Sequence, residues 1–293
     1  MTLRNVKPWI ELAQRQGFAV GAFNANTLEQ VQAVVLAAEA EQAPVIVQIS
    51  HRALVYIGSG NAILGLRYMA EIGKTAAQSV SVPVALHLDH ANESEVTQAL
   101  ALGFTSVMFD GSELPFDENV AATVRLREMA HGLGAFIEAE LGEVPRVDAS
   151  GAVDHESVLT DPDEAARFAD ATGIDALAIA IGSVHSVKSK TVDLDLERLK
   201  AIRAKVQTPL VLHGSSGVLD AAIAAGIKGG LCKVNVATQM NGSFTKAIRA
   251  YLADDLSGVD PRLYFTPARE AMVEAVRERL RFFGAAGKAS AFV

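Results

Sequence analysis

Eight short apolar runs, each closed by a polar or ionisable residue and followed by a helix-length stretch, recur along this chain. They span residues 18–24, 44–50, 83–90, 104–110, 134–140, 174–181, 209–213 and 231–236. Runs of this kind suit parallel strands buried on both faces, which lack the apolar–polar alternation of a half-exposed sheet. Strand and helix alternating eight times predict an α/β fold, the (β/α)8 TIM barrel, with all 293 residues in one domain. An open, doubly wound sheet competes with it, yet no G-x-G-x-x-G follows the first run and no single switch point stands out. Polar residues end nearly every run: Asn24, Ser50, Asp89, Asp110, Glu140, His213 and Asn235, with His185 following the sixth. Closing the sheet gathers these positions around one mouth, where sites of this fold lie. An open sheet would string them along an edge.

Extra helices are expected at both ends. Residues 1–16 place Leu3, Val6, Trp9, Ile10 and Ala13 at helical spacing, and residues 269–283 read as a helix after a loop holding Pro261 and Pro267. The polar stretch 143–157 reads as a long binding loop or lid. Half of the residues are apolar, enough for a large core, and the formal net charge of -8 argues against nucleic acid and acidic membrane surfaces. The single cysteine, Cys232, precludes an internal disulfide and reads as inert packing. The N-terminal pattern is amphipathic rather than that of a signal peptide, and no uncharged apolar run reaches the ~18 residues of a membrane helix. A cytoplasmic location is the expectation.

The chemistry concentrates in Pro83-Val-Ala-Leu-His-Leu-Asp-His90. Alternation puts Ala85, His87 and Asp89 on one face. His90 falls just past the strand, where a loop can turn it toward Asp89. A carboxylate and an imidazole at the C-terminal end of a parallel strand look like a general acid/base beside a metal ligand. His185 and His213 follow strand-like runs in the same way. Three histidines leave a fourth position open, the arrangement of catalytic zinc, although imidazole also suits other transition metals. A lone strand-end histidine more often hydrogen-bonds the barrel rim, and only the recurrence favours a metal. His87 reads as a buried core residue or a support for the site, and His51, His131 and His155 as surface residues. The turn His213-Gly-Ser-Ser-Gly217 and the stretch Asn235-Val-Ala-Thr238 could together bind phosphate through backbone N–H groups at a turn and a helix N-terminus.

The segments Leu86–His90, Phe104–Asp110, Phe136–Gly142, Gly182–His185, Leu212–Gly217 and Lys233–Thr238 resemble, in order, those of class II, metal-dependent ketose-bisphosphate aldolases. Gly21–Asn24, Asp260–Tyr264 and the tail ending at Lys288 extend the likeness over essentially the whole chain. It is to the shorter members, fructose- and tagatose-bisphosphate aldolases among them. The resemblance implies one catalytic Zn2+ per chain on His90, His185 and His213, with Asp89 as the acid/base at the C4 hydroxyl. Asp110 and Glu140 match acidic residues near the metal that support its ligands or offer an alternative metal position. Gly214, Ser216, Asn235, Ala237 and Thr238 match the site for the C1 phosphate, and Asn24 and Ser50 match residues facing the substrate. A monovalent cation, Na+ or K+, near the phosphate loop is implied, as is a homodimer or homotetramer.

The implied reaction is reversible retro-aldol cleavage of a ketose 1,6-bisphosphate to dihydroxyacetone phosphate and an aldehyde such as glyceraldehyde 3-phosphate, the chemistry of glycolysis. Zinc on the C2 carbonyl would absorb the charge left at C3. In the family a glutamate on the loop after the fifth strand returns a proton to C3. The matching position here is Asp148, with Glu143 the fallback. After His185 the family has glycine and then a tyrosine–lysine pair, whereas this chain has Ser186-Val-Lys-Ser-Lys190, with Lys188 and Lys190 placed to restore positive charge. Ser215 stands where a second glycine is common. These departures keep two other readings open: a non-catalytic sugar-phosphate-binding paralogue and a metal-dependent sugar-phosphate epimerase.

Overall fold

The structure, a computed structural model, describes residues 2–145, 159–187 and 189–292. Eight parallel strands form it: β1 (Val20–Asn24), β2 (Val45–Ser50), β3 (Val84–Ala91), β4 (Ser106–Phe109), β5 (Phe136–Leu141), β6 (Ala176–Ile179), β7 (Leu210–Leu212) and β8 (Leu231–Val236). They pair in sequence order and β8 pairs with β1, so the barrel closes and no strand edge is left. Each strand lies inside the run that predicts it or overshoots that run by one residue. The helices are α1 (Lys7–Gln16), α2 (Leu28–Glu41), α3 (His51–Ile57), α4 (Ala62–Gln78), α5 (Glu93–Ala101) and α6 (Phe116–Gly132). They continue as α7 (Pro162–Thr172), α8 (Leu196–Lys205), α9 (Asp220–Lys228), α10 (Thr238–Asp254) and α11 (Pro261–Phe282). None among the described residues is long and apolar enough to cross a membrane.

Local chemistry sets the helix starts that follow the strand ends. Asn92 and Glu95 close a reciprocal capping box on α5, which holds the chain leaving β3 in a fixed direction. Gly73 of α4 faces Leu86, and a Cβ there would come within 2.9 Å of its Cδ2, so a larger residue would make that side chain shift. Cys232 is buried in β8, and burial pushes its thiol up to about 11, which keeps it inert.

The N-terminal face of the barrel is sealed. Trp9 and Ile10 of α1 are buried, Arg4 N donates to Val84 O at 2.9 Å, and Ala19 N donates to Phe283 O at 3.0 Å. The C-terminal strand ends are therefore the open mouth.

Two expectations need correction. His90 lies inside β3 rather than past it, because the strand carries a register shift against β4 between Leu88 and Ala91. His90 takes a left-handed φ of 46° there, which brings it to the same mouth as its neighbour Asp89. The prolines of the tail do not mark a loop. Pro261 opens α11, where a missing N–H costs nothing, and Pro267 sits within it, leaving the carbonyl of half-exposed Leu263 to water.

The C-terminal helix is clamped to α2 by Glu41, which accepts from Arg277 Nε at 2.7 Å and Arg281 Nε at 2.8 Å. The contact with Arg281, then that with Arg277, outweighs burial and holds the Glu41 carboxyl below its usual range. A depressed carboxylate stabilises the fold above its unfolded pKa, and the contribution fades as pH falls. Glu41→Gln is expected to lower the melting temperature at pH 7 by ~2–3 °C, from about 1 kcal/mol. The gap from the unmodified chain should close below pH ~4, as followed by circular dichroism.

Candidate active site

The mouth holds a cavity of about 280 Å³ whose wall includes Asn24, Ser50, Asp89, His90, His185, Gly214, Ser216, Asn235, Ala237 and Thr238. Sequence-predicted residues from β1, β2, β3, β8 and the segments after β6 and β7 thus meet in one place. His213 lies just behind the wall and is buried. A second, acidic cleft adjoins it, lined by His90, Asp110, Glu140 and Glu143. Asp148 and His155 lie outside the described residues, as does Lys188.

The three histidine rings converge edge to face, with centroids 5.2 Å (His90–His185), 4.7 Å (His90–His213) and 6.1 Å (His185–His213) apart. Each offers a ring nitrogen within 4.8 Å of the others, and His90, Asp110 and Glu140 form a second such group. His185 reaches the cluster from the loop beyond β6, not from its end. Its backbone N donates to Pro145 O at 2.8 Å, tying that loop to the one after β5.

Outer partners fix the rings. His90 Nδ1 lies 2.6 Å from Asp110 Oδ2, and Asp110 Oδ1 accepts from Ser112 Oγ at 2.7 Å. His213 Nε2 lies 2.7 Å from Glu138 Oε1. With their outward nitrogens held by carboxylates, His90 Nε2 and His213 Nδ1 face each other at 2.9 Å, both aimed inward. Metal-ligand histidines are held in just this way.

The charge balance points to a cation as well. Burial pushes the Glu140 carboxyl up to about 8, against the pull of His90 and with Asp110, Glu138 and Asp89 adding to it. Burial would lower the His90 imidazole, but Asp89, Asp110 and Glu140 outweigh it and raise it to about 10. Four carboxylates crowd this end of the barrel, so a divalent ion on the three imidazoles fits both the donor set and the charge. The residues present fit zinc.

Asp89 is buried, and the charges of His90, His213 and Lys233 overcome its desolvation and hold it below the usual carboxylate range. Asn235 Nδ2 donates to its Oδ1 at 3.2 Å, and Asn24 Nδ2 reaches its Oδ2 at 3.5 Å. Gln48 in turn donates to Asn24 Oδ1 at 2.9 Å. Asp89 is thus an ionised acceptor held by two amides beside the histidine cluster.

On the opposite wall, Gly214 adopts a φ of 65°, and a Cβ there would press within 3.0 Å of the Val184 backbone. Ser215 lines the cavity as well, but its hydroxyl donates to the carbonyl of Asn235, so the departure from glycine also ties the turn after β7 to β8. Ser216 Oγ accepts from Gln239 N at 3.3 Å at the start of α10, beside Ala237 and Thr238. Ser50 caps α3 by accepting from Ala53 N. Lys190 does not restore charge to the cavity, because its Nζ is committed to Asp220 Oδ1 at 2.5 Å. Ser186 takes a left-handed φ of 66°, the conformation for which glycine is suited.

The model of the class II fructose-bisphosphate aldolases matches residues 4–288. The chain belongs to that family. The YdjI aldolase from Escherichia coli K12 is 32% identical with a TM-score of 0.83, over 98% of this chain and 99% of its own. A Coccidioides immitis protein described as a candidate fructose-1,6-bisphosphate aldolase is 31% identical, with a TM-score of 0.83 over 97% and 98% of the two chains. The fructose-bisphosphate aldolase of Campylobacter jejuni, at 24% identity, shares the fold with a TM-score of 0.83 over 97% of this chain and 96% of its own.

Sequence reasoning read His87 as buried or supporting but missed the rest of the layer beneath the family's site. Glu138, Lys233, Gln48, His87 and Ser106 are all fully buried inside the barrel. His87 Nδ1 lies 2.6 Å from Ser106 Oγ, and burial, with Lys233 adding, lowers its imidazole to about 3, so it stays neutral. The signal was the spacing of two: Gln48/Ser50, His87/Asp89, Glu138/Glu140 and Lys233/Asn235 each put a second polar side chain one step below the mouth. His51 and His131 are partly exposed as expected, but each holds a buried carboxylate, Glu95 at 2.5 Å and Asp175 at 3.0 Å.

Removing the partner of His90 tests the ligand geometry. Asp110→Ala is expected to weaken zinc affinity by about 10–100-fold in competition with a chromophoric chelator, with the fold intact.

Proposed function

We propose that the chain is a zinc-dependent aldehyde-lyase that reversibly cleaves a ketose 1,6-bisphosphate of the fructose or tagatose type to dihydroxyacetone phosphate and an aldehyde such as glyceraldehyde 3-phosphate. The observation that carries this reading is a buried Asp89 beside three convergent imidazoles, at a cavity whose wall also includes Gly214, Ser216 and Thr238. When bound by His90, His185 and His213, zinc supplies a Lewis acid for the substrate carbonyl.

The chain's own residues divide the remaining work. Gly214, Ser216, Asn235, Ala237 and Thr238 seat the phosphate at the positive end of α10, whose first turn carries no acidic residue. That anchor sets the depth of the sugar chain in the cavity. Asp89 accepts the hydroxyl proton as the carbon–carbon bond breaks, while Asn235 and Asn24 aim its oxygens. Return of a proton to the other fragment falls to the loop bearing Asp148 or to Glu143 in the adjoining cleft. Asp110 and Glu140 keep the ligand cluster in place and offer an alternative metal position. The family likeness supports a Na+ or K+ ion near the cradle, a homodimer or homotetramer, and a cytoplasmic setting in carbohydrate metabolism.

Asp89→Ala is expected to retain about one zinc per chain while kcat falls by roughly 10²–10⁴-fold in a triose-phosphate-coupled assay. Chelation should abolish cleavage by the unmodified protein, and added zinc should restore it. Full turnover by the variant removes Asp89 from its role. A product that keeps the whole carbon skeleton points to epimerisation, and tight sugar-phosphate binding without product points to a non-catalytic paralogue. Assaying fructose and tagatose bisphosphates side by side assigns the substrate.

A further inference from the structure

Below the histidine cluster a single ammonium touches both halves of the reacting centre. Lys233 and Glu138 are fully buried, and Lys233 Nζ lies 2.8 Å from Glu138 Oε2. The same Nζ donates to Asn235 Oδ1 at 2.8 Å. Each neighbour passes the constraint on in one direction.

An ammonium has donors and no acceptor, so Asn235 must turn its oxygen to Lys233. Its amide nitrogen then faces Asp89 Oδ1, at 3.2 Å, and lies 3.2 Å from the His213 ring at Nε2. The flipped amide would set N–H against ammonium and carbonyl against carboxylate. On the other arm, Glu138 gives one oxygen to Lys233 and the other to His213 Nε2 at 2.7 Å. Held this way, His213 keeps its proton on Nε2 and turns the Nδ1 lone pair toward His90. Neither Lys233 nor Glu138 lines the cavity. His87, the other ionisable side chain of this layer, is bonded to Ser106 and belongs to neither arm.

We propose that Lys233 is a positioning residue that couples the acid/base carboxylate Asp89 to the metal ligand His213, through Asn235 on one side and Glu138 on the other. The turnover part of this inference rests on the aldolase reading; the metal-binding part does not.

Lys233→Met keeps the length and removes the charge. Because it strands Glu138 in the interior, the neutral pair Lys233→Met/Glu138→Gln is made beside it as the variant expected to fold. In the full-length chain both variants should bind zinc roughly 10–100-fold more weakly in chelator competition. At saturating zinc, kcat should fall on the order of 10–100-fold while KM stays within about threefold, since the lost groups do not touch substrate. A folded double variant that retains wild-type zinc affinity, or wild-type kcat, overturns the coupling and reduces the pair to charge balance. If the unmodified protein cleaves no ketose phosphate, the aldolase reading falls alone. The zinc affinities, with a crystal structure of the double variant showing whether Asn235 has turned, then decide the coupling.

Discussion

Parallel strands leave no edge only when the last one finds the first, and the pairing of β8 with β1 is what everything else in this molecule depends on. Closure makes a cylinder whose inside is too narrow for water and must be filled by side chains. Toward the sealed face that filling is apolar. Toward the mouth it changes to amides, carboxylates, imidazoles and one ammonium, which survive burial because each is set against another. Breaking such a pair from one side alone costs about 3–5 kcal/mol, so the layer is stable only as a unit. Asp89, Asn235 and His213 rest on that layer, whereas His185 comes from the loop beyond β6.

The strands were legible because burial on both faces writes itself into composition: runs of Val, Ile, Leu and Ala broken by a polar terminus. The ring of site residues was legible for the same reason, since only a functional site or a partner tolerates Asp89 or Glu140 at the end of such a run. Three features were not. The bulge at His90 left no trace, because a histidine in the left-handed region looks like any histidine in the sequence. Pro267 read as a breaker, although near an exposed helix start its missing donor is harmless. Lys233 and Glu138 lie in different strands with 95 positions between their numbers, and a single sequence does not reveal which charges meet across a barrel.

The family's departures resolve in physical terms as well. Ser215 spends its hydroxyl on the Asn235 carbonyl, and Lys190 spends its charge on Asp220. Ser215 stands on the cavity lining with its hydroxyl already engaged, and Lys190 stands off it. Ser186 differs from both in its backbone, which takes a left-handed conformation suited to glycine at the cavity lining. Strain of that kind persists only where the surroundings hold it, and here it sits at the wall of the mouth cavity.

The sealed floor has a kinetic meaning. With α1 and Phe283 packed at the lower end, the cavity opens among the described strand ends, the side by which a bound molecule would enter and depart. Under the proposed reading, two fragments sharing one exit would leave in sequence, the piece not held at the cradle going first. In the proposed cleavage, passage through that opening would add to the time of each cycle.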